Sequence, residues 1–376
     1  MKVIVISGVN LVEAGTLAIL RDCLQYLSEL ASKEPYRIIA IVHKRSLADF
    51  PNIDYIETQW PKKRWLNRIW FEYVSMKKIS KNIGQVYLWF SLHDTSPNVI
   101  AELQAVYCHN TYFLYKWTWR DLFLSTKIAL FSIFTKYIYR INIRSNDFLV
   151  VQQDWFRDAM IKQFPIKRQQ VIVAPPPAAA PLKRMARRCP EIEKEGYSFV
   201  FAASPNSHKN FECICRAAAL LEGRGIRNFK VYLTVDGTEN TYAKWLYKKW
   251  GAQFSSLAFV GFLKKEQLLG YYESCNCLIF PSKIESWGLP ISEFGQYGKP
   301  MLLANLPYAR ATAEGSKLTS FFEPDDYREL AAHMQRLIAG DHHFLQNIAT
   351  NTISEPVAYD WNEVFKLLLL TKNKNS

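Results

Sequence analysis

The sequence predicts an α/β protein built from two doubly wound, Rossmann-like parallel-sheet domains, and three observations carry that expectation. Short runs rich in Val, Ile, Tyr and Phe alternate with segments of helical period. A proline cluster interrupts the alternation near mid-chain, and 376 residues is the length of about two domains. With 49% hydrophobic, 22% charged and 14% aromatic residues, a disordered or fibrous chain is excluded, and each half is large enough to bury a core without metal or disulfide support.

Residues 2–7, 36–43, 85–91, 102–108, 147–152 and 170–174 read as strands buried on both faces. Helical period over Thr16 to Leu30, Trp65 to Lys81, Leu122 to Tyr139 and Trp155 to Phe164 places helices between them, so a first domain is expected over 1–178. In APPPAAAPLKR, four prolines among Pro175 to Pro181 hold an extended backbone that neither a helix nor a sheet interior accepts, which marks the boundary. A second domain is expected over 190–356, with strands at 198–203, 229–235, 257–260, 277–280 and 300–304. Its helices are expected at 210–222, 240–249, 265–273, 290–297 and from about Tyr327. The basic tail Lys372 to Ser376 reads as disordered. Ligands of such sheets bind beyond the carboxyl ends of the strands, so the chemistry is expected in a cleft between the domains.

The 47 Lys plus Arg exceed the 34 Asp plus Glu by 13, and the excess is uneven: residues 1–190 hold 27 basic and 14 acidic residues, the remainder 20 of each. Anionic partners are therefore expected for the first half. Cys213, Cys215, Cys275 and Cys277 form C-x-C pairs rather than the spacing of zinc sites, and read as buried free thiols of a reducing compartment. Met1-Lys2 leads directly into VIVIS without the pattern of a signal peptide, and no uncharged run exceeds 14 residues, so a cytoplasmic protein without a spanning helix is expected.

The segment PSKIESWGLPISEFGQYGKP, residues 281–300, follows the apolar strand CLIF. Ser282 to Gly288 should form the loop at that strand's carboxyl end, and Pro290 suits the first turn of the next helix. Glu285 then lies in the loop and Glu293 in the first helical turn, with the amides of Trp287, Gly288 and Leu289 at the positive end of the helix, where an anion would bind. Without a functional role, interaction with the helix dipole accounts for Glu293 and solvation for Glu285.

This segment resembles the retaining group 1 glycosyltransferases, also called glycosyltransferase family 4, which have the GT-B fold. Their signature of two glutamates eight positions apart around Gly-Leu-Pro is met by Glu285-Ser-Trp-Gly-Leu-Pro-Ile-Ser-Glu293, with Trp287 where Phe is more usual. SHKN, FVGFL, ANLPYAR and FFEPDD follow the family's order between about Ser198 and Leu330. The resemblance implies that Glu285 orients the transferred sugar, that Glu293 accepts hydrogen bonds from the ribose hydroxyls, and that Lys209 of SHKN binds phosphate. Ser204 stands where the family commonly has Arg, which shifts phosphate neutralisation toward Lys209, the amides of Trp287 to Leu289, and Gly15-Thr16 in the first domain's initial loop. Base recognition through backbone groups near Gly261 and Phe262 leaves no residue signature. His109, closing ELQAVYCH, matches the family's first-domain histidine that reaches the donor sugar; a structural hydrogen bond at the strand end is the alternative. His93, His342 and His343 have no such match and read as surface or packing residues. The implied chemistry has no dedicated base, since the departing diphosphate accepts the acceptor's proton, and needs neither metal nor cofactor. The C-terminal helix, about 357–372, is expected to pack back on the first domain.

Lys62 to Lys81 holds seven basic residues and one Glu, with Leu66, Ile69, Trp70, Tyr73 and Val74 at helical spacing, while Tyr112 to Tyr139 is crowded with aromatics. Both patterns suit an anionic membrane surface, and equally amphipathic helices packed on their own sheet. The expectation is a retaining, metal-independent glycosyltransferase acting on a nucleotide-sugar donor and a glycan or lipid-linked acceptor in bacterial cell-surface polysaccharide assembly (O-antigen, lipopolysaccharide or capsule). Its rivals are a nucleotide-sugar epimerase on the same fold and a non-catalytic membrane- or RNA-binding protein; no nucleic-acid motif supports the last.

Overall fold

Two parallel sheets, of seven and six strands, organise the chain in the computed structural model, which describes residues 1–12, 14–176, 192 and 196–370. By their contacts the residues divide into two units. The first comprises Met1–Asn110, Thr135–Pro177 and Ile353–Ser376; the second comprises Thr111–Phe134 and Ala178–Thr352.

The first sheet contains β1 (Lys2–Ser7), β2 (Tyr36–Val42), β3 (Ile53–Glu57), β4 (Val86–Ser91), β5 (Leu103–Cys108), β6 (Phe148–Val151) and β7 (Val171–Val173) in the order β3-β2-β1-β4-β5-β6-β7. The second contains β8 (Tyr197–Phe201), β9 (Phe229–Leu233), β10 (Leu257–Phe259), β11 (Cys277–Phe280), β12 (Met301–Ala304) and β13 (Thr319–Phe322) in the order β10-β9-β8-β11-β12-β13. The direction of winding reverses between β1 and β4 in one sheet and between β8 and β11 in the other. At these crossovers the loops leaving adjacent strands diverge and open a crevice at the carboxyl edge.

Helices α1 (Ala14–Lys33), α2 (Trp60–Lys63), α3 (Trp65–Trp70), α4 (Met76–Ile83), α5 (Trp119–Leu124), α6 (Thr126–Arg140) and α7 (Asp154–Gln163) precede the second sheet. Within and after it come α8 (Phe211–Gly223), α9 (Thr241–Trp250), α10 (Lys265–Ser274), α11 (Leu289–Gly295), α12 (Pro307–Thr312), α13 (Tyr327–Ile338) and α14 (Trp361–Leu370). All residues of β4, β5, β11 and β12 are buried, as their continuous apolar runs require of strands covered on both faces.

Several expectations change. Strand β3 has no apolar run, because IDYIE lies at the sheet edge with Asp54 and Glu57 exposed; pairing with β2 rather than composition makes it a strand. Helix α1 starts at Ala14, so Gly15 and Thr16 lie in its first turn and not in the preceding loop. The helix expected over Leu122 to Tyr139 breaks at Ser125, which leaves the helical region with φ −147°. Between α3 and α4, Phe71–Ser75 form a π-helical turn whose extra residue shifts the register. Phe71 and Met76 are thereby buried against Val5, Ile39, Ile41 and Trp89, while Leu66 and Trp70 stay exposed.

The boundary expected at 178 does not describe the grouping of Thr111–Phe134, which belongs with the second unit. There Tyr115 and Ile128 pack on Ile284 of the loop after β11. At the other end, α14 packs against α1: Tyr26 and Phe365 stack with centroids 5.4 Å apart, and Val364, Phe365 and Leu368 join Leu24, Leu27 and Phe90 in the core. Part of the proline-rich linker, and the tail Lys372 to Ser376, lie outside the described residues. Cys23, Cys108, Cys213, Cys215, Cys275 and Cys277 are buried free thiols.

Candidate active site

The crossover of the second sheet gathers loops from three strands. Asn210, in the left-handed region at φ 60°, closes the loop after β8 and donates from Nδ2 to the carbonyls of Pro281 (3.2 Å) and Pro324 (2.7 Å), behind β11 and β13. Lys283 N donates to His208 O at 2.7 Å, Tyr308 OH to Ser282 O at 2.6 Å, and Thr312 Oγ1 to Trp287 O. This stitching brings Lys209 against Glu285, 76 positions later in the chain, as an ion pair with 16% and 15% of the side chains exposed. Tyr112 and Tyr115 close on His208 in edge-to-face geometry, with centroids 5.2 and 6.2 Å away, and Tyr112 OH lies 3.5 Å from His208 Nε2. Burial and then the charge of Glu285 push the Tyr112 phenol up, so it remains a neutral donor.

Gly288 sits at φ 92° as the residue before α11; a Cβ there would be strained by the backbone alone and would stand 3.2 Å from Ile291 Cδ1. Glu293 is the fifth residue of α11, beyond the first turn in which it was expected, so a dipole interaction accounts for it less well. It pairs instead with Lys265 at the start of α10, where Glu293 is 17% and Lys265 54% exposed. Trp287 donates from Nε1 to Ser292 Oγ at 3.2 Å, and Leu289 is exposed. Ser204 is exposed and accepts from Asn206 Nδ2 at 3.0 Å. Gly261 follows β10 at φ 73° beside Asp236, and the Phe262 side chain is 83% exposed.

In the first unit His109 follows β5. Its main-chain N–H donates to Asp94 Oδ1 at 2.7 Å, its Nε2 lies 3.3 Å from Asp94 Oδ2, and its buried Nδ1 has no partner among the described residues. Asp94 also accepts from Asn110 N (2.9 Å) and Tyr139 OH (3.0 Å). Sequence reasoning missed Asp94; its signal is an acid three residues past the end of a buried strand, with the strained φ of 67° visible only in three dimensions. His342 and His343 are exposed, whereas His93 is fully buried beside Glu72 and Ser7. Among the described residues no group of three or more His, Cys, Asp or Glu is placed to hold a metal ion.

The buried histidines set an expected pH response. Burial and then Arg68 hold His93 well below the ordinary imidazole value of 6.5; burial and then Lys209 do the same for His208. The unfolded chain binds those protons and the folded chain does not, so stability present above pH 6.5 is lost as the pH falls below it. Glu72 opposes this: burial raises its carboxyl from 4.5 to about 7, and stability declines as the pH rises across that window. Two imidazoles outweigh one carboxyl, so the melting temperature should peak near pH 6.5 and drop on acidification. An unchanged melting temperature between pH 6.5 and 5 would contradict the assignment.

Compared with solved structures, the chain is similar to a sucrose-phosphate synthase from Thermosynechococcus elongatus, with a TM-score of 0.65 and 14% identity over 98% of this chain and 95% of that one. It is also similar to HepE of Anabaena in complex with UDP, with a TM-score of 0.60 and 14% identity over 90% of each chain. Two parallel sheets of this topology define an α/β protein of the GT-B fold. The family of glycosyl transferases group 1 matches residues 184–354. A curated relative, the serotype-specific mannosyltransferase WbdA of Escherichia coli, is 24% identical over 155 residues, which are 41% of this chain and 19% of WbdA. The chain thus spans less than a fifth of that relative's length.

Proposed function

We propose that the chain transfers a sugar from a nucleotide-sugar to a hydroxyl of a glycan or lipid-linked acceptor, with retention at the anomeric carbon, in bacterial cell-surface polysaccharide assembly. The observation that carries the reading is the half-buried Lys209–Glu285 pair at the crossover of β8 and β11, with Glu293 eight positions further on. The match to the group 1 family and the similarity to HepE, which has been seen with UDP and with UDP-glucose, support the donor class.

In this reading Lys209 exchanges its carboxylate partner for diphosphate oxygens when donor binds, and Glu285 is released toward the sugar. Glu293 accepts from two adjacent ribose hydroxyls, and the backbone at Gly261 and Phe262 meets the base. The amides of Trp287, Gly288 and Leu289, the turn at Ser204, and the first turn of α1 with Gly15 and Thr16 add donors toward phosphate. His109 contributes to the donor sugar from the first unit, which also takes the acceptor. The bond from C1 to the diphosphate oxygen breaks, the acceptor oxygen joins C1 on the same face, and its proton passes to the departing diphosphate. Lysine and amide donors neutralise that diphosphate without a metal ion or cofactor.

Thermal stabilisation by GDP, UDP, dTDP and their sugars tests the reading. One of them should stabilise the protein by about 2.7 kcal/mol at a hundredfold excess over Kd, and Glu293→Ala should abolish the shift. No shift with any of them would sink it.

We place the protein at the cytoplasmic membrane face. Exposed Trp60, Trp65, Leu66 and Trp70 stand beside exposed Lys62, Lys63 and Arg64, and among the described residues no helix is long and apolar enough to cross a membrane. Vesicles with anionic lipid should retain the protein at physiological salt while neutral vesicles do not; equal retention would remove the idea.

A further inference from the structure

The proposed mechanism gives no role to Ser7, Glu72, His93 or Thr95, yet these buried polar side chains converge at the crossover of the first sheet. Ser7, the last residue of β1, places Oγ 2.9 Å from His93 Nε2. On the opposite side of the ring, His93 Nδ1 lies 3.3 Å from Glu72 Oε1 and 3.2 Å from Thr95 Oγ1. Ser7, Glu72, His93 and Thr95 are all buried. The connectivity is that of a serine, histidine and carboxylate triad, but the hydroxyl is wholly enclosed and no substrate reaches it, so a nucleophilic role does not follow.

Position suggests a different role. Glu72 reaches the cluster from the π-helical turn, whose added residue turns it toward the sheet. The His93 carbonyl accepts from Arg68 Nη2 at 2.9 Å and from Thr95 N at 2.8 Å, so ring and main chain are both held. The next residue is Asp94, at φ 67°, in a region disfavoured for residues with a Cβ and maintained only where surroundings over-determine it. Asp94 in turn holds the His109 main chain and lies beside its ring. Burial leaves His93 neutral and raises the Glu72 carboxyl, a rise that the Arg68 charge and the Thr95 hydroxyl offset only in part.

We propose that Glu72, His93 and Ser7 are positioning residues that act through the left-handed turn at Asp94 to fix His109. This rests on the role given to His109 above.

The test is a set of double-mutant cycles in the full-length protein, with turnover measured against the donor that stabilises it. Glu72→Leu should lower kcat roughly tenfold or more, the order produced when a reacting group is misplaced, with little change in donor KM. Glu72→Gln, which keeps an acceptor for the ring, should recover most of that loss. Ser7→Ala, a substitution with little risk to folding, should lower kcat in the same direction. In a His109→Ala background neither Glu72→Leu nor Ser7→Ala should cost anything further, because both act through the missing ring. Losses that multiply in that background would overturn the proposal, as would Glu72→Leu and Ser7→Ala enzymes with unchanged kcat beside an impaired His109→Ala. A His109→Ala enzyme as active as the parent would overturn both the proposal and the role given to His109.

Discussion

Replacing Glu285 by Gln is expected to lower kcat by roughly 10²–10³, the range found when one preorganised electrostatic group is removed from a site where charge develops. The sugar carries positive charge as its bond to diphosphate breaks, and a carboxylate 15% exposed acts on that charge with less screening than one in water. Folding should be almost unaffected, since Gln keeps the shape and Lys209 retains some contact with solvent. Nucleotide affinity should hold or rise, because Lys209 no longer needs to leave an ionic partner. Lys209→Met should do the opposite, weakening nucleotide binding roughly tenfold or more while leaving an unpaired carboxylate. Steady-state kinetics with calorimetric titration of the nucleoside diphosphate separates the two; Glu285→Gln within threefold of the parent would remove the carboxylate from the mechanism.

The largest effect on stability is expected at Arg157. Its side chain is fully buried and donates to Asp154 Oδ1 (2.7 Å), Ser354 O (2.7 Å), Ser354 Oγ (2.9 Å) and Pro356 O (3.1 Å). It therefore ties α7 to the segment that leads into α14, whose Val364, Phe365 and Leu368 complete the core of the first unit. Arg157→Met should destabilise the protein by about 1–3 kcal/mol, because it removes buried donors from the carbonyls of Val171 and Pro356, while Asp154, 35% exposed, keeps its pair with Arg168. Arg157→Lys should recover only part, since one ammonium cannot reproduce the planar fork. Urea unfolding gives the measurement, and a change below about 1 kcal/mol would show that the contacts are replaceable.

Much of the architecture was legible because each central strand is a buried run in its own right, and each intervening helix shows its face within four turns. Strand β3 was not, because IDYIE carries two exposed acids at a sheet edge. Nor was the grouping of Thr111–Phe134, whose aromatics read as a helix of the first domain while Tyr115 packs on Ile284 of the second unit. The two glutamates were singled out by their eight-position interval around Gly-Leu-Pro, and Lys209 by the resemblance of SHKN to the family's motif. Asp94 and Glu72 were not, since an acid beside a histidine and a lone acid in a basic stretch carry no pattern of their own.

The sequence alone determined the alternation of strand and helix, the uneven charge and the eight-residue interval between Glu285 and Glu293, all properties of neighbouring residues. Only the tertiary structure decided that Lys209 meets Glu285 across 76 positions, that Lys265 meets Glu293, and that Ser7 meets His93 across 86. The physical reason is the crossover of a parallel sheet. Local periodicity states which face of an element is buried, whereas the partner of a charge is chosen by which strands become adjacent, and strand order is set by packing over the whole unit.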